Sequence, residues 1–151
     1  MKRWDLLSLP PSTEKQYPRE RGAGAPRVPR EDGQIPRVLF SAPECRAIVI
    51  ELERGERMGD HQVRERAVVH VVGGRVAIEA SGETVECGAG TLVAFAPHER
   101  HSVHALDDAK LLLIISPWPA AEHYSDSETQ HASRLPANAF VAPIESENAE
   151  A

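Results

Sequence analysis

The stretch Arg66-Ala67-Val68-Val69-His70-Val71-Val72-Gly73-Gly74-Arg75-Val76-Ala77-Ile78-Glu79-Ala80-Ser81-Gly82-Glu83-Thr84-Val85-Glu86-Cys87 decides the fold class. It holds three short runs, two of them rich in β-branched residues, and the breaks between them, Gly73-Gly74 and Ser81-Gly82, are dipeptides that turn hairpins. Val76 and Ile78 fall on one face of the second run. The stretch therefore predicts consecutive antiparallel strands.

Working outward, the same pattern recurs. Strands are expected at 38–41, 45–52, 66–72, 75–80, 83–87, 91–95, 100–106 and 110–116, with further tight links at Gly88-Ala89-Gly90 and Asp107-Asp108. The run Leu111-Leu112-Leu113-Ile114-Ile115 is apolar on both faces. It is bounded closely by Asp107-Asp108 and Pro117, too closely for a core helix, and so predicts a central strand buried on both sides. Many short antiparallel strands must close or cover their edges, which makes this an all-β sandwich or barrel.

The flanks are different. Residues 8–36 contain Pro10, Pro11, Pro18, Pro26, Pro29 and Pro36 and few large apolar side chains, too little to offset the ordering entropy. We expect an extended, partly disordered arm over 1–36, a barrel over 37–119 and a flexible tail over 120–151. Trp4, Leu6, Leu7 and Leu9 can dock either on their own barrel or, as an exchanged arm, on a second subunit. Ala139-Phe140-Val141-Ala142-Pro143-Ile144 is the one part of the tail able to dock.

With 151 residues the chain fits one domain, and a net charge of −6 with scattered arginines argues against nucleic acid as a partner. No apolar run has the length to cross a bilayer, and no signal region opens the chain, so a cytoplasmic protein with no membrane partner is expected. Cys45 and Cys87 then read as reduced thiols, although one bridge is conceivable. No nucleophile elbow or phosphate loop is present. Arg46, Arg57, Arg64 and Arg75 are candidates for an anion at the rim, against the ordinary reading as surface charge.

The chemistry-bearing feature is histidine. Five of the seven, His61, His70, His98, His101 and His104, lie in the predicted barrel. Gly55, His61 and Gly74 stand in the register of the first cupin motif, with Val63 at its second His position and Ala67 at its Glu position. Gly90 and His101 match the second motif, with Ala96, His98 and Ala105 at its Pro, Gly and Asn positions and Pro97 displaced by one. The chain thus resembles small single-domain bacterial cupins over roughly residues 39–116, which implies a double-stranded β-helix, or jelly-roll, barrel.

In metal-holding cupins four such residues bind one divalent ion, and here only His61 and His101 remain. If residues 61–67 are extended, Glu65 shares a face with Ala67, and His61, His101 and Glu65 would offer two imidazoles and a carboxylate to Fe, Mn, Ni or Zn. The competing reading of Glu65 is a solvated edge charge beside Arg64 and Arg66. Strand parity separates His101 from His104, which then faces solvent, and turns His70 toward the partner sheet, hydrogen-bonded; His98 sits in a turn at the mouth. The expected ligand-binding set is His61, Val63, Ala67, His98 and His101. Three readings follow: a homodimeric module binding a small molecule or a weakly held metal, a metal-dependent enzyme of dioxygenase or isomerase type, and, from Trp4 and the proline-rich arm, a dimer serving mainly as a scaffold.

Overall fold

A computed structural model describes residues 1–9, 37–119 and 140–144. Among these residues the regular structure is nine strands: β1 (Arg37–Ser41), β2 (Arg46–Leu52), β3 (Arg57–His61), β4 (Arg66–Gly73), β5 (Arg75–Ala80), β6 (Glu83–Gly88), β7 (Leu92–Phe95), β8 (His101–Ala105) and β9 (Ala109–Ser116). They form a five-stranded sheet ordered β1-β2-β9-β4-β7 and a four-stranded sheet ordered β3-β8-β5-β6. Every pairing between strands is antiparallel. The architecture is the all-β barrel of two antiparallel sheets that the strand pattern predicts.

Eight of the strands follow the sequence pattern; β3 does not. Arg57-Met58-Gly59-Asp60-His61 has no β-branched residue and carries an interior glycine, so its own preference for a strand is weak. Pairing with β8 makes it one, through Arg57↔His104, Met58↔Val103 and, after an irregularity, His61↔His101.

The core lies between the sheets. Ile48, Ile50, Val69, Val71, Val76 and Ile78 belong to it, with Phe95, Val103, Leu111 and Ile115 from the later strands. Strand β9 is the middle of the five-stranded sheet. Leu111 and Ile115 face the interior, while Leu112 and Ile114 face a second cluster built on Leu39, Ala47 and Val49. This explains why residues 111–115 are apolar on both faces.

Chain segments cover that second face. Trp4, Leu6, Leu9 and Val141 pack on it, and the Trp4 ring stacks on Phe40 with centroids 5.9 Å apart. Trp4 Nε1 donates to the Val141 carbonyl at 3.0 Å, Ile144 N donates to the Arg3 carbonyl at 2.8 Å, and Lys110 Nζ donates to the Leu6 carbonyl at 2.8 Å. Phe140 bridges Val38 in parallel, shielding part of the β1 edge. Residues 140–144 were expected in a flexible tail and are instead docked, because Val141 adds an apolar side chain to a face that β2 and β9 leave unfinished. Trp4, Leu6 and Leu9 of the apolar start thus line the outer cluster. The expectations for residues 10–36, 120–139 and 145–151 lie outside the described residues.

Cys45 and Cys87 are not bridged. Burial pushes the Cys87 thiol above its ordinary range.

Gly74 closes the β4–β5 turn at φ +76, and a Cβ there would strike the backbone carbonyl of Asp108 and the Cα of Ala109. Gly82 has a similar φ of +78 but open space around it. Gly82→Ala should therefore cost only the left-handed penalty of roughly 1–2 kcal/mol. Gly74→Ala adds a backbone collision and should cost at least about 2 kcal/mol more. Leu111→Ala should cost about 2–5 kcal/mol through the cavity it leaves. Urea unfolding of the three variants measures these differences, and equal losses at the two glycines would refute the role of the Asp108 carbonyl.

Candidate functional site

One end of the barrel collects the polar groups, and strand register puts them there. Arg46 pairs with Ile115, Ile115 with Ala67, and Ala67 with Phe95, so these four form one row across the five-stranded sheet. The Phe95 ring stacks on His101 at 3.9 Å between centroids and 5° between planes, carrying the row onto the other sheet. There His101 pairs with Ala80 on one side and with position 61 on the other. The His61 side chain lies outside the described residues, so the structure gives its backbone register alone.

His101 is buried and its orientation is fixed. Its Nδ1 lies 3.0 Å from the Glu99 carbonyl oxygen, which can only accept, so Nδ1 carries the hydrogen and Nε2 keeps the lone pair in the neutral ring. The turn that supplies this carbonyl is itself tied down. Glu99 accepts from Ala96 N at 2.8 Å and from the Ser81 hydroxyl at 3.1 Å, and His98 N donates to the Val63 carbonyl at 2.8 Å. His98 adopts φ +64 there. Its side chain is exposed.

Glu65 is the least expected member. It is 0% exposed, so its carboxyl group belongs to the interior and not to a solvated charged edge. The reason differs from the expected one. Residues 62–65 are not extended strand, since β3 ends at His61, β4 begins at Arg66 and the chain bends at 64–65. The segment is held by its flanks: Val63 receives the His98 bond, and Ala67 pairs with Phe95 beneath His101. Glu65 is thereby set at the His101 end.

The remaining predicted residues divide clearly. Ala67 is buried in the core and Val63 packs partly buried against it. Neither has a donor atom, so the four-ligand centre of metal-holding cupins is not reproduced, and no group of three or more His, Cys, Asp or Glu side chains converges among the described residues. His104 is exposed, as strand parity anticipates. His70 was expected against the partner sheet and is not there. Ala67, Val69 and Val71 take the inward positions of β4, which turns His70, half-buried, to the outer face. Of the four arginines read as rim candidates, Arg75 is exposed and paired with Asp107 at 2.7 Å, while Arg46 is buried.

The Ala96 N–H and the Ser81 hydroxyl hold the Glu99 carboxyl below the usual glutamate range, with His101 and Arg66 adding attraction. A folded-state pKa below the unfolded one gives stability that is present at neutral pH and lost as pH falls through the folded value. Wild-type urea midpoints should therefore fall more steeply between about pH 5 and pH 3 than those of Glu99→Gln. Parallel slopes would show that Glu99 does not anchor this turn.

Comparison with known proteins places these features. No curated protein matches the chain at a significant level. An RmlC-like cupin from Shewanella frigidimarina is 26% identical over 56% of this chain and 75% of that one, with a TM-score of 0.52. KdgF from a Halomonas species is 24% identical over 54% and 78%, with a TM-score of 0.53. A conserved protein with a double-stranded β-helix domain from Klebsiella pneumoniae reaches a TM-score of 0.56 at 15% identity, over 62% and 85%. Residues 48–144, well over half of the chain, match the family described as the AraC-like ligand binding domain, and with its cupin barrel and buried His101 this protein belongs to that family.

Proposed function

We propose that the barrel is a small-molecule binding module whose ligand sits at the His101 end, working as a cytosolic homodimer. The observation that carries this reading is the Glu65 carboxyl group, wholly buried at the end of the barrel where His101 and Arg46 are buried as well. Ionisable groups held inside a barrel concentrate at functional sites, which makes this cluster the candidate. Glu65 would accept hydrogen bonds from hydroxyl or amino groups of the ligand, and the Phe95 and Trp118 rings would supply apolar contact. Family membership supports ligand binding as the general role.

The competing metal-dependent enzyme draws on His61, His101 and Glu65, but Val63 and Ala67 withhold the other donors. Thermal unfolding with small polyols, carboxylic acids and Fe(II), Mn(II), Ni(II) or Zn(II) separates the two readings. A ligand at about 100 times its Kd should add roughly 2.7 kcal/mol of stability. The expected result is stabilisation by an organic compound that is lost in His101→Ala and in Glu65→Gln. Stabilisation by a metal ion alone, lost in His101→Ala, would replace this reading with the metal-dependent one. Light scattering on the full chain tests the dimer, and a monomer mass at micromolar concentration would reject it.

A further inference from the structure

The two described segments that flank the barrel, residues 1–9 and 140–144, meet each other on the outer face of the five-stranded sheet. Trp4 Nε1 reaches the Val141 carbonyl at 3.0 Å across 137 positions of sequence, and Ile144 N reaches the Arg3 carbonyl at 2.8 Å. Beneath them lie Leu39, Ala47 and Val49, with Leu112 and Ile114 from β9.

Residues 140–144 have little hold of their own. Among the described residues three hydrogen bonds tie this segment down: one reaches the barrel, from Val141 N to the Val38 carbonyl at 2.8 Å, and the other two go to Arg3 and Trp4. Val141 supplies its side chain to the outer cluster, whereas Phe140 and Ile144 are exposed. Ordering the segment costs more than one half-buried valine returns, so its docking leans on the N-terminal segment beside it.

The N-terminal segment is anchored at its other end. Leu7 N donates to Asp5 Oδ1 at 3.0 Å and Ser8 N to the Asp5 carbonyl at 3.2 Å, closing a turn around Leu6. Lys110 has the outward parity of Leu112 and Ile114, and its Nζ holds the Leu6 carbonyl at 2.8 Å. Glu51 fixes this ammonium at 3.6 Å and lies 3.6 Å from Arg37 on β1, so the turn is pinned to three neighbouring strands.

We infer that residues 3–9 and 140–144 form a two-part clasp that docks and releases as one unit, with Lys110 as its pin. Release bares the apolar outer face and the β1 edge that Phe140 and Val141 cover, and leaves the barrel folded, because the pairing of β1, β2, β9 and β4 uses no residue of the clasp. The clasp is thus a conformational device that controls access to a face of the barrel remote from the buried His101 and Glu65. Two segments docking independently would have no such coupling.

The test perturbs one half and reads the other. Among the described residues the bonds of Lys110 go to Leu6 and Glu51 and not to 140–144. Lys110→Met should nevertheless speed hydrogen exchange, followed by NMR, at the Val141 and Ile144 amides as well as at the Trp4 indole N–H, each by about tenfold, while the Val69 amide of the core keeps its rate. In the reverse direction Val141→Asp should raise acetic anhydride labelling of Lys110, one of three lysines in the chain and so resolved by mass spectrometry, by at least about threefold. Acceleration at Trp4 without Ile144, equal acceleration at Val69, no acceleration at all, or unchanged labelling of Lys110 would each overturn the clasp. If Val141→Asp is unfolded by circular dichroism, Val141→Ala takes its place with the same outcomes.

Discussion

Strand β9 is paired along its length with β2 on one side and β4 on the other, and the candidate site is a consequence of that double register. Arg46 and Ala67 meet across Ile115 because both strands are in step with β9 at that residue. A slip of one residue on either side would turn Arg46 outward, or replace Ala67 by its outward neighbour Val68, since successive side chains alternate between faces. The register is held by burial on both faces. The interior claims Leu111 and Ile115, and the docked segments around Trp4 and Val141 claim Leu112 and Ile114. A slip would exchange two sets that are both packed, which would gain nothing and would break the contacts of each.

That constraint also explains which parts of the molecule the sequence discloses. Strands carried by β-branched runs between Gly73-Gly74, Ser81-Gly82 and Asp107-Asp108 are legible because propensity and turn chemistry agree there. Residues 111–115 announce a central strand by being apolar throughout. Strand β3 is illegible because its stability comes from β8 and not from its own residues. The motif glycine Gly74 matched its family position, and the structure gives the physical reason in the Asp108 carbonyl.

The site was legible in part. His101 was placed on the inward face of its strand, and its burial on Phe95 agrees. Glu65 was named as a candidate through an extended segment that does not exist; a bend, the Val63 to His98 hydrogen bond and the Ala67 to Phe95 pairing bury it. No periodicity in residues 61–67 encodes those contacts, because they come from the β7–β8 turn. Arg46 stood among four arginines of equal standing. Only its parity with Ile48 and the arrival of Trp118 from far along the chain separate it from surface charge.

At the end of the barrel where Val63 and Ala67 stand at ligand positions of metal-holding cupins, a carboxyl group, an imidazole and a guanidinium are buried. An ion bound by imidazoles and carboxylates polarises whatever reaches its open positions. Held by the Glu99 carbonyl through Nδ1, the His101 ring in its neutral form keeps its lone pair at Nε2. The double register of β9 and the turn before β8 together decide that these groups lie at one end of the interior.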